Sequence, residues 1–74
     1  MQDTIRGILE ELLPGVDLDS KTLADDGFID SVVVVNIVTE LDLEFDVEIP
    51  FDALVNENFN SLEAIEALVK SLQK

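Results

Sequence analysis

The sequence predicts an all-α fold: a small bundle of three main helices plus one short helix, with a long loop between the first two. Both ends of the chain place apolar residues three and four positions apart, as one face of a helix requires. Residues 31–49 contain neither glycine nor proline, whereas residues 14–30 are rich in turn formers. A chain of 74 residues builds one small core. Residues 1–74 are therefore expected to form a single domain.

The first helix is predicted from Asp3 to Leu13. Asp3 or Thr4 is expected to cap its start, and Pro14 and Gly15 end it. Its apolar residues repeat with helical spacing: Ile5, Ile8, Leu9, Leu12 and Leu13.

Residues 14–30 show no sustained period and are predicted as a loop. A loop of this length in a small domain argues against the assignment, unless the loop is functional and pinned by its own side chains. A calcium-binding loop beginning at Asp17 is rejected, because Lys21 takes a ligand position and the required glycine and final glutamate are missing. The apolar residues expected to pin the loop to the core are Val16, Leu18, Leu23, Phe28 and Ile29.

The segment 31–49 has two interpretations. Residues 41–49 alternate apolar and acidic as in a half-buried strand, and the valines 32–35 favour extended structure. A helix is nevertheless favoured, because no other segment offers a partner strand. A broad helical stripe supports it: Val34, Val35, Ile37, Val38, Leu41 and Phe45.

The last third of the chain is predicted to hold a short helix and a long one. The short helix covers 51–55, with Pro50 near its first position. Residues 56–60 are predicted as a loop anchored by Phe59.

The final helix is expected to be capped by Asn60, with Glu63 reaching back in a capping box. Lys70 and Lys74 lie at its C-terminal end, as the helix dipole prefers. Its apolar residues are Leu62, Ile65, Leu68, Val69 and Leu72.

The charge is strongly acidic, with 17 acidic residues against 4 basic ones and a formal net charge of -13. No Lys or Arg lies between Thr22 and Val69. Such a field repels nucleic acid and anionic lipid, attracts basic protein surfaces and opposes self-association. The N-terminus lacks the features of a signal peptide, and no apolar stretch is long enough to span a bilayer. A monomer in the cytoplasm is expected.

The composition argues against an enzyme and against a dedicated metal site. There is no histidine, so a serine nucleophile lacks its usual base. There is also no cysteine, which excludes disulfides and soft-ligand zinc sites. Two clusters of carboxylates are each expected to share a divalent ion, so calcium or magnesium should raise the melting temperature more than sodium chloride of matched ionic strength. The clusters are Asp25, Asp26 and Asp30, and Glu44, Asp46 and Glu48.

Ser31 is the most informative residue. It stands at the predicted loop-to-helix junction, where backbone N–H groups are unpaired and the helix dipole favours a negative group. A phosphodiester on its oxygen would lie in a positive local field. Asp30, just before it, is expected to steady the helix as a cap or first-turn acid, worth about 0.5–2 kcal/mol.

Two segments, 27–31 (GFIDS) and 44–50 (EFDVEIP), resemble the acyl carrier proteins and related phosphopantetheine carriers. The resemblance covers nearly the whole chain, including its length and acidity, and implies an acyl-carrier-like bundle. It favours a helix from Ser31 to about Phe45, followed by a segment with Val47 and Ile49 turned inward. It also implies that a phosphopantetheinyl transferase attaches a 4'-phosphopantetheine arm from coenzyme A to Ser31. In this family the preceding aspartate, here Asp30, helps to place magnesium and coenzyme A.

By the same resemblance the chain holds an acyl or aminoacyl thioester for fatty-acid, polyketide or related biosynthesis. The partner would be an acyl- or aminoacyl-activating ligase or synthase with a basic docking patch. Fatty-acid carriers typically have leucine after the serine and acids on the next exposed turns, so the valines here suit a dedicated partner. The expected docking residues are Val32, Val33, Asn36, Glu40, Leu43 and Glu44.

Two alternatives stay open. The form of residues 28–32 is also similar to D-alanyl carriers and to stand-alone carriers of amino-acid-activating ligases. In a different class, an acidic non-carrier module that docks on a basic surface explains the charge but not the serine. Six apolar residues either shelter an acyl chain or form the core, and the core is favoured: Phe28, Val34, Val35, Val38, Leu54 and Ile65.

Overall fold

The computed structural model describes residues 1–73 and confirms the all-α fold. The four helices are α1 (Gln2–Leu12), α2 (Ser31–Phe45), α3 (Asn56–Phe59) and α4 (Leu62–Leu72), and a 3-10 turn covers Phe51–Ala53. α1 packs against both α2 and α4, and α3 packs against α4. No strand occurs in the described residues. Lys74 lies outside them.

The core is almost entirely aliphatic. Each long helix contributes two fully buried residues four positions apart, which lie on one helical face. The loop between α1 and α2 is pinned by Leu18, Leu23 and Ile29, which are buried in the same core, with Val16 packed against it. Phe28, also predicted to pin the loop and to belong to the core, is instead 47% exposed. The fully buried helical residues are Ile5 and Leu9 of α1, Ile37 and Leu41 of α2, Phe59 of α3, and Ile65 and Val69 of α4.

The valine run is helical, as the favoured interpretation predicted. Val34 packs against the core, to which the buried Ile37 also belongs. Tertiary burial therefore overrides the β-propensity of the run. One member of the predicted stripe is misplaced, because 55% of Val35 is exposed. After the helix, Ile49 packs against the core and Val47 is half-buried.

Several predictions at helix ends are wrong. No side chain caps α1, and Asp3 lies within its first turn. The short helix expected over 51–55 is only the 3-10 turn, whereas the expected loop 56–60 contains α3. These segments are short and weakly periodic, so their boundaries depend on tertiary contacts.

The start of α4 also differs from the prediction. Its cap is Ser61, whose Oγ accepts a hydrogen bond from the Ala64 N–H at 3.0 Å. Glu63 forms an ion pair with Lys21, at 2.6 Å between Nζ and Oε1, instead of a capping box. Asn60 therefore does not cap α4. Lys70 lies in the last turn of α4, as predicted.

None of the described helices combines the length and apolarity needed to cross a membrane.

Candidate functional site

The site is built on the first turn of α2. The Asp30 Oδ1 accepts hydrogen bonds from the N–H groups of Val32 at 3.0 Å and Val33 at 2.9 Å. The Asp30 carbonyl accepts a third from the Val34 N–H at 2.9 Å. Asp30 is thus the N-cap, the first of the two roles that the sequence predicted, and Ser31 is the first residue of the helix, with an exposed side chain.

The loop before Ser31 is held in a tight turn. Leu23 and Ile29 are buried, and the Ile29 N–H donates to the Leu23 carbonyl at 3.1 Å. Between them Gly27 has a φ of +86°, a left-handed conformation that glycine adopts readily. The Thr22 hydroxyl also donates to the Asp26 Oδ2 at 2.6 Å. The segment that leads to Ser31 therefore has a defined path.

Asn60, between α3 and α4, bonds to this turn from the opposite side. Its Oδ1 accepts from the N–H groups of Ala24 at 3.0 Å and Asp25 at 2.9 Å. Its Nδ2 donates to the Asp25 Oδ2 at 3.2 Å, and its carbonyl accepts from the Leu23 N–H at 3.0 Å. Sequence reasoning missed this role, since it assigned Asn60 to capping α4.

An apolar cleft of about 510 Å³ opens beside Ser31, between the start of α2 and the segment that holds the 3-10 turn and α3. Phe51, 89% exposed, stands beside it. Of the six apolar residues considered as a shelter, Ile65 is buried in the core, Val38 packs against the core, and Phe28 lies outside the lining. The lining includes Ile29, Val34, Val35, Phe51, Leu54, Val55 and Phe59.

Comparison with known proteins shows the family of the chain. The family described as "Phosphopantetheine attachment site" matches residues 3–69. The chain belongs to this family. It is also 32% identical over 65 residues to Aminoacyl carrier protein 1 of Bradyrhizobium diazoefficiens, covering 88% of this chain and 72% of that protein. No solved structure matches the chain significantly.

This phosphopantetheine carrier is by family a carrier domain and not an enzyme, and its family bears a covalent 4'-phosphopantetheine. The residues present fit that group. Ser31 offers an exposed primary hydroxyl at a helix start, where the helix dipole favours a phosphodiester. The N–H groups of Val32 and Val33 are already bonded to Asp30, so the dipole and not free donors supplies the positive field. The apolar cleft lies directly beside this hydroxyl. A carrier of this kind works with a phosphopantetheinyl transferase and with synthetic enzymes.

Most of the predicted docking residues of the carrier lie on one exposed side of α2. Val32, Asn36, Glu40 and Leu43 are spaced four, four and three residues apart and all are exposed, with Val32 at 69% and Leu43 at 78%. Glu44 is exposed beside them. Val33, the remaining predicted docking residue, is half-buried and packs against the core.

The carboxylates around the carrier's site do not converge on a metal ion. No group of three potential ligands is close enough to hold one in the part of the chain described. The carboxylates before Ser31 have separate partners: Asp25 binds Asn56 and Asn60, Asp26 binds Thr22, and Asp30 binds backbone N–H groups. The expected shared divalent sites are therefore not supported.

Proposed function

We propose that the chain is an aminoacyl carrier whose Ser31 Oγ bears the 4'-phosphopantetheine arm. The arm's thiol holds an aminoacyl thioester and delivers it from an amino-acid-activating ligase to a partner enzyme, in the cytoplasm. The observation that carries the attachment site is the exposed Ser31 hydroxyl on the Asp30-capped helix start. The likeness to an aminoacyl carrier protein supports the cargo class.

The attachment step divides the chemistry between the two proteins. The Ser31 Oγ forms a bond to the β-phosphorus of coenzyme A, and the pyrophosphate bond breaks to release adenosine 3',5'-bisphosphate. The proton of the hydroxyl passes to a base of the transferase, because this chain has no histidine. Both cap bonds of Asp30 use Oδ1, so Oδ2 can assist the transferase's magnesium.

Intact-mass spectrometry after incubation with coenzyme A, magnesium and a phosphopantetheinyl transferase tests the site. We expect one added phosphopantetheine on the wild-type chain and none on Ser31→Ala. Ser20→Ala is the matched control, because Ser20 lies in the same loop region but in no helix. A wild-type chain left unmodified by several transferases, or a modified Ser31→Ala variant, would overturn the proposal. The first result would favour an acidic interaction module instead.

A fatty-acyl carrier is the second candidate, and the apolar cleft beside Ser31 is the observation in its favour. The two are separated by loading the phosphopantetheinylated chain. One arm uses aminoacyl-activating ligases with ATP and a panel of amino acids that includes D-alanine, and the other uses a malonyl or fatty-acyl transferase. We expect a kcat/KM at least about tenfold higher in the aminoacyl arm, equivalent to about 1.4 kcal/mol. The reverse ratio would assign the chain to fatty-acid synthesis.

We also propose that a monomeric domain of residues 1–74 docks through the exposed side of α2. Val32 supplies an apolar contact and Glu44 a rim charge for a basic patch on the ligase or synthase. Buried contacts mainly set dissociation, whereas rim charges mainly set association and its salt dependence. Val32→Asp should therefore speed release, and Glu44→Lys should slow association and flatten its salt dependence in stopped-flow binding.

The control for docking is Glu10→Lys, which makes the same charge change on the exposed surface of α1. Equal effects of Glu10→Lys and Glu44→Lys would reduce the role of α2 to net charge. Unchanged dissociation in Val32→Asp would show that the docking side lies elsewhere. Val33→Asp is unsuitable, because Val33 packs against the core and its loss would also destabilise the fold.

A further inference from the structure

We propose that Asn60 is a positioning residue for the modification of Ser31. It acts through Asp25 and the turn of residues 23–27, which it holds against the junction of α3 and α4. The inference rests on the proposed attachment at Ser31. Asn60 is 35 residues from Asp25 in the sequence, and it reaches the loop through hydrogen bonds.

Four hydrogen bonds join Asn60 to three successive loop residues. The side-chain oxygen accepts from two backbone N–H groups, those of Ala24 and Asp25. The side-chain nitrogen donates to the Asp25 carboxylate, and the main-chain carbonyl accepts from Leu23. Asn56 adds a bond to the other Asp25 oxygen, at 3.1 Å from its Nδ2. An amide is the side chain that can accept and donate at once in this way.

The held turn leads directly to Ser31. The Leu23 carbonyl accepts from Ile29, and the Ala24 carbonyl accepts from Gly27 at 3.1 Å. Leu23 and Ile29 are both buried, so the two ends of the turn are pressed into the core. The next residue after Ile29 is Asp30, the cap of α2, and Ser31 follows. A shift of the turn therefore moves the start of α2 relative to a docked transferase.

A role in helix capping does not explain Asn60. Ser61 caps α4, and its Oγ accepts from the Ala64 N–H. The Asn60 side chain instead directs its hydrogen bonds across the molecule. Its function is thus to join two elements, one of which presents the hydroxyl to be modified.

The experiment uses a charge-conserving swap. Asn60→Asp keeps the oxygen that accepts the two N–H bonds but sets a second carboxylate against Asp25. Combining it with Asp25→Asn restores a donor and an acceptor between the two positions at unchanged net charge. The kcat/KM for phosphopantetheine transfer should fall about tenfold in Asn60→Asp and return to within about twofold of wild type in the double variant.

Asn58→Ala is the matched control for simple loss of stability. Asn58 also donates a hydrogen bond, from its Nδ2 to the Ala53 carbonyl at 2.8 Å, but it makes no described contact with the loop before Ser31. Rates are measured at a temperature where every variant is folded, with amide exchange of Ala24 and Asp25 as the local readout. We expect these two amides to exchange faster in Asn60→Asp than in wild type. Their exchange should be unchanged in Asn58→Ala and should return to the wild-type rate in the double variant.

Each outcome decides the inference. It is overturned if Asn60→Asp transfers the arm at the wild-type rate, or if Asn58→Ala loses as much transfer as Asn60→Asp. It is also overturned if the double variant transfers the arm slowly although its amide exchange has recovered. Failure of the wild-type chain to accept the arm at Ser31 would instead overturn the proposed function. Modification of wild type at Ser31 with an indifferent Asn60 leaves the attachment site standing and removes only the positioning role.

Discussion

Asp30 is the residue on which the first turn of α2 depends, since its Oδ1 accepts both cap hydrogen bonds. Asp30→Ala removes the acceptor of two backbone N–H groups and should lower the free energy of unfolding by about 0.5–2 kcal/mol in urea titrations. Asp30→Asn keeps a capping oxygen, so its stability should stay within about 0.5 kcal/mol of wild type, since asparagine caps nearly as well. Its transfer rate should nevertheless fall if the carboxylate charge assists magnesium.

The two Asp30 variants give distinct results for the two roles. Wild-type transfer in Asp30→Asn would confine Asp30 to capping. Wild-type stability in Asp30→Ala would show that the cap bonds contribute nothing to the fold.

Glu63 gives a pH dependence whose sign follows from its partner. The hydrogen bond from Lys21 is the main cause that lowers the pKa of the Glu63 carboxyl below its ordinary value. A lowered folded-state pKa stabilises above the unfolded pKa, and this contribution is lost as the pH falls through the folded one. On acidification from about pH 6 to pH 3, the melting temperature of Glu63→Gln should therefore fall by less than that of wild type. The effect should be small because the pair is exposed.

Glu57→Gln is the control for that measurement. It removes the same charge from an exposed position that has no ion pair in the described residues. Identical acid profiles for the Glu57 and Glu63 variants would assign the effect to net charge alone.

Residue-scale prediction succeeds where the signal is local. Asp30 and Ser31 could be placed because a cap and the helix it starts are adjacent in sequence. Asn60 could not, because the same residue type suits both a cap and a loop tie, and its partner Asp25 is 35 residues away. Ser61, one residue further on, took the capping role.

At the scale of elements, α2 shows why the alternating pattern of residues 41–49 suggested a strand. The pattern crosses the end of the helix: α2 stops at Phe45, and Asp46 adopts a left-handed conformation with a φ of 52°. The Asp42 Oδ1 then accepts from the Ile49 N–H at 3.2 Å and turns the chain back along the helix. Alternation indicated half-burial, but the absence of a partner strand decided the backbone conformation.

Substitution of two leucines of α2 tests which side of the helix contributes to stability. Leu41 is fully buried, whereas Leu43 is 78% exposed. Leu41→Ala should destabilise by about 2–5 kcal/mol, enough to unfold much of so small a domain. Leu43→Ala should change the free energy of unfolding by less than about 0.5 kcal/mol. Circular dichroism during urea titration measures both, and equal losses would show that α2 is rotated from the described position.

At the scale of the whole molecule, the main electrostatic feature is the small number of positive charges, 4 against 17 acidic residues. Three cations in the described residues each face a carboxylate: Arg6 with Asp19 at 2.7 Å, Lys21 with Glu63 at 2.6 Å, and Lys70 with Glu66 at 4.0 Å. The first two pairs tie the long loop to α1 and α4. The hydrogen bond to Asp19 also raises the pKa of Arg6. Most carboxylates are left without a cationic partner, so folding gathers negative charge into a small volume.

Salt should therefore stabilise the fold by screening, and the kind of cation should matter little. The carboxylates before Ser31 already have separate hydrogen-bond partners, and no group of three potential ligands lies together among residues 1–73. Sodium chloride and magnesium chloride at matched ionic strength should thus raise the melting temperature by similar amounts, measured by calorimetry. A clear excess for magnesium, abolished by Glu48→Gln but kept in Asp26→Asn, would contradict this and place a shared ion at the end of α2. Without that excess, the acidity of this carrier acts on its fold only through self-repulsion, which lowers its stability in low salt.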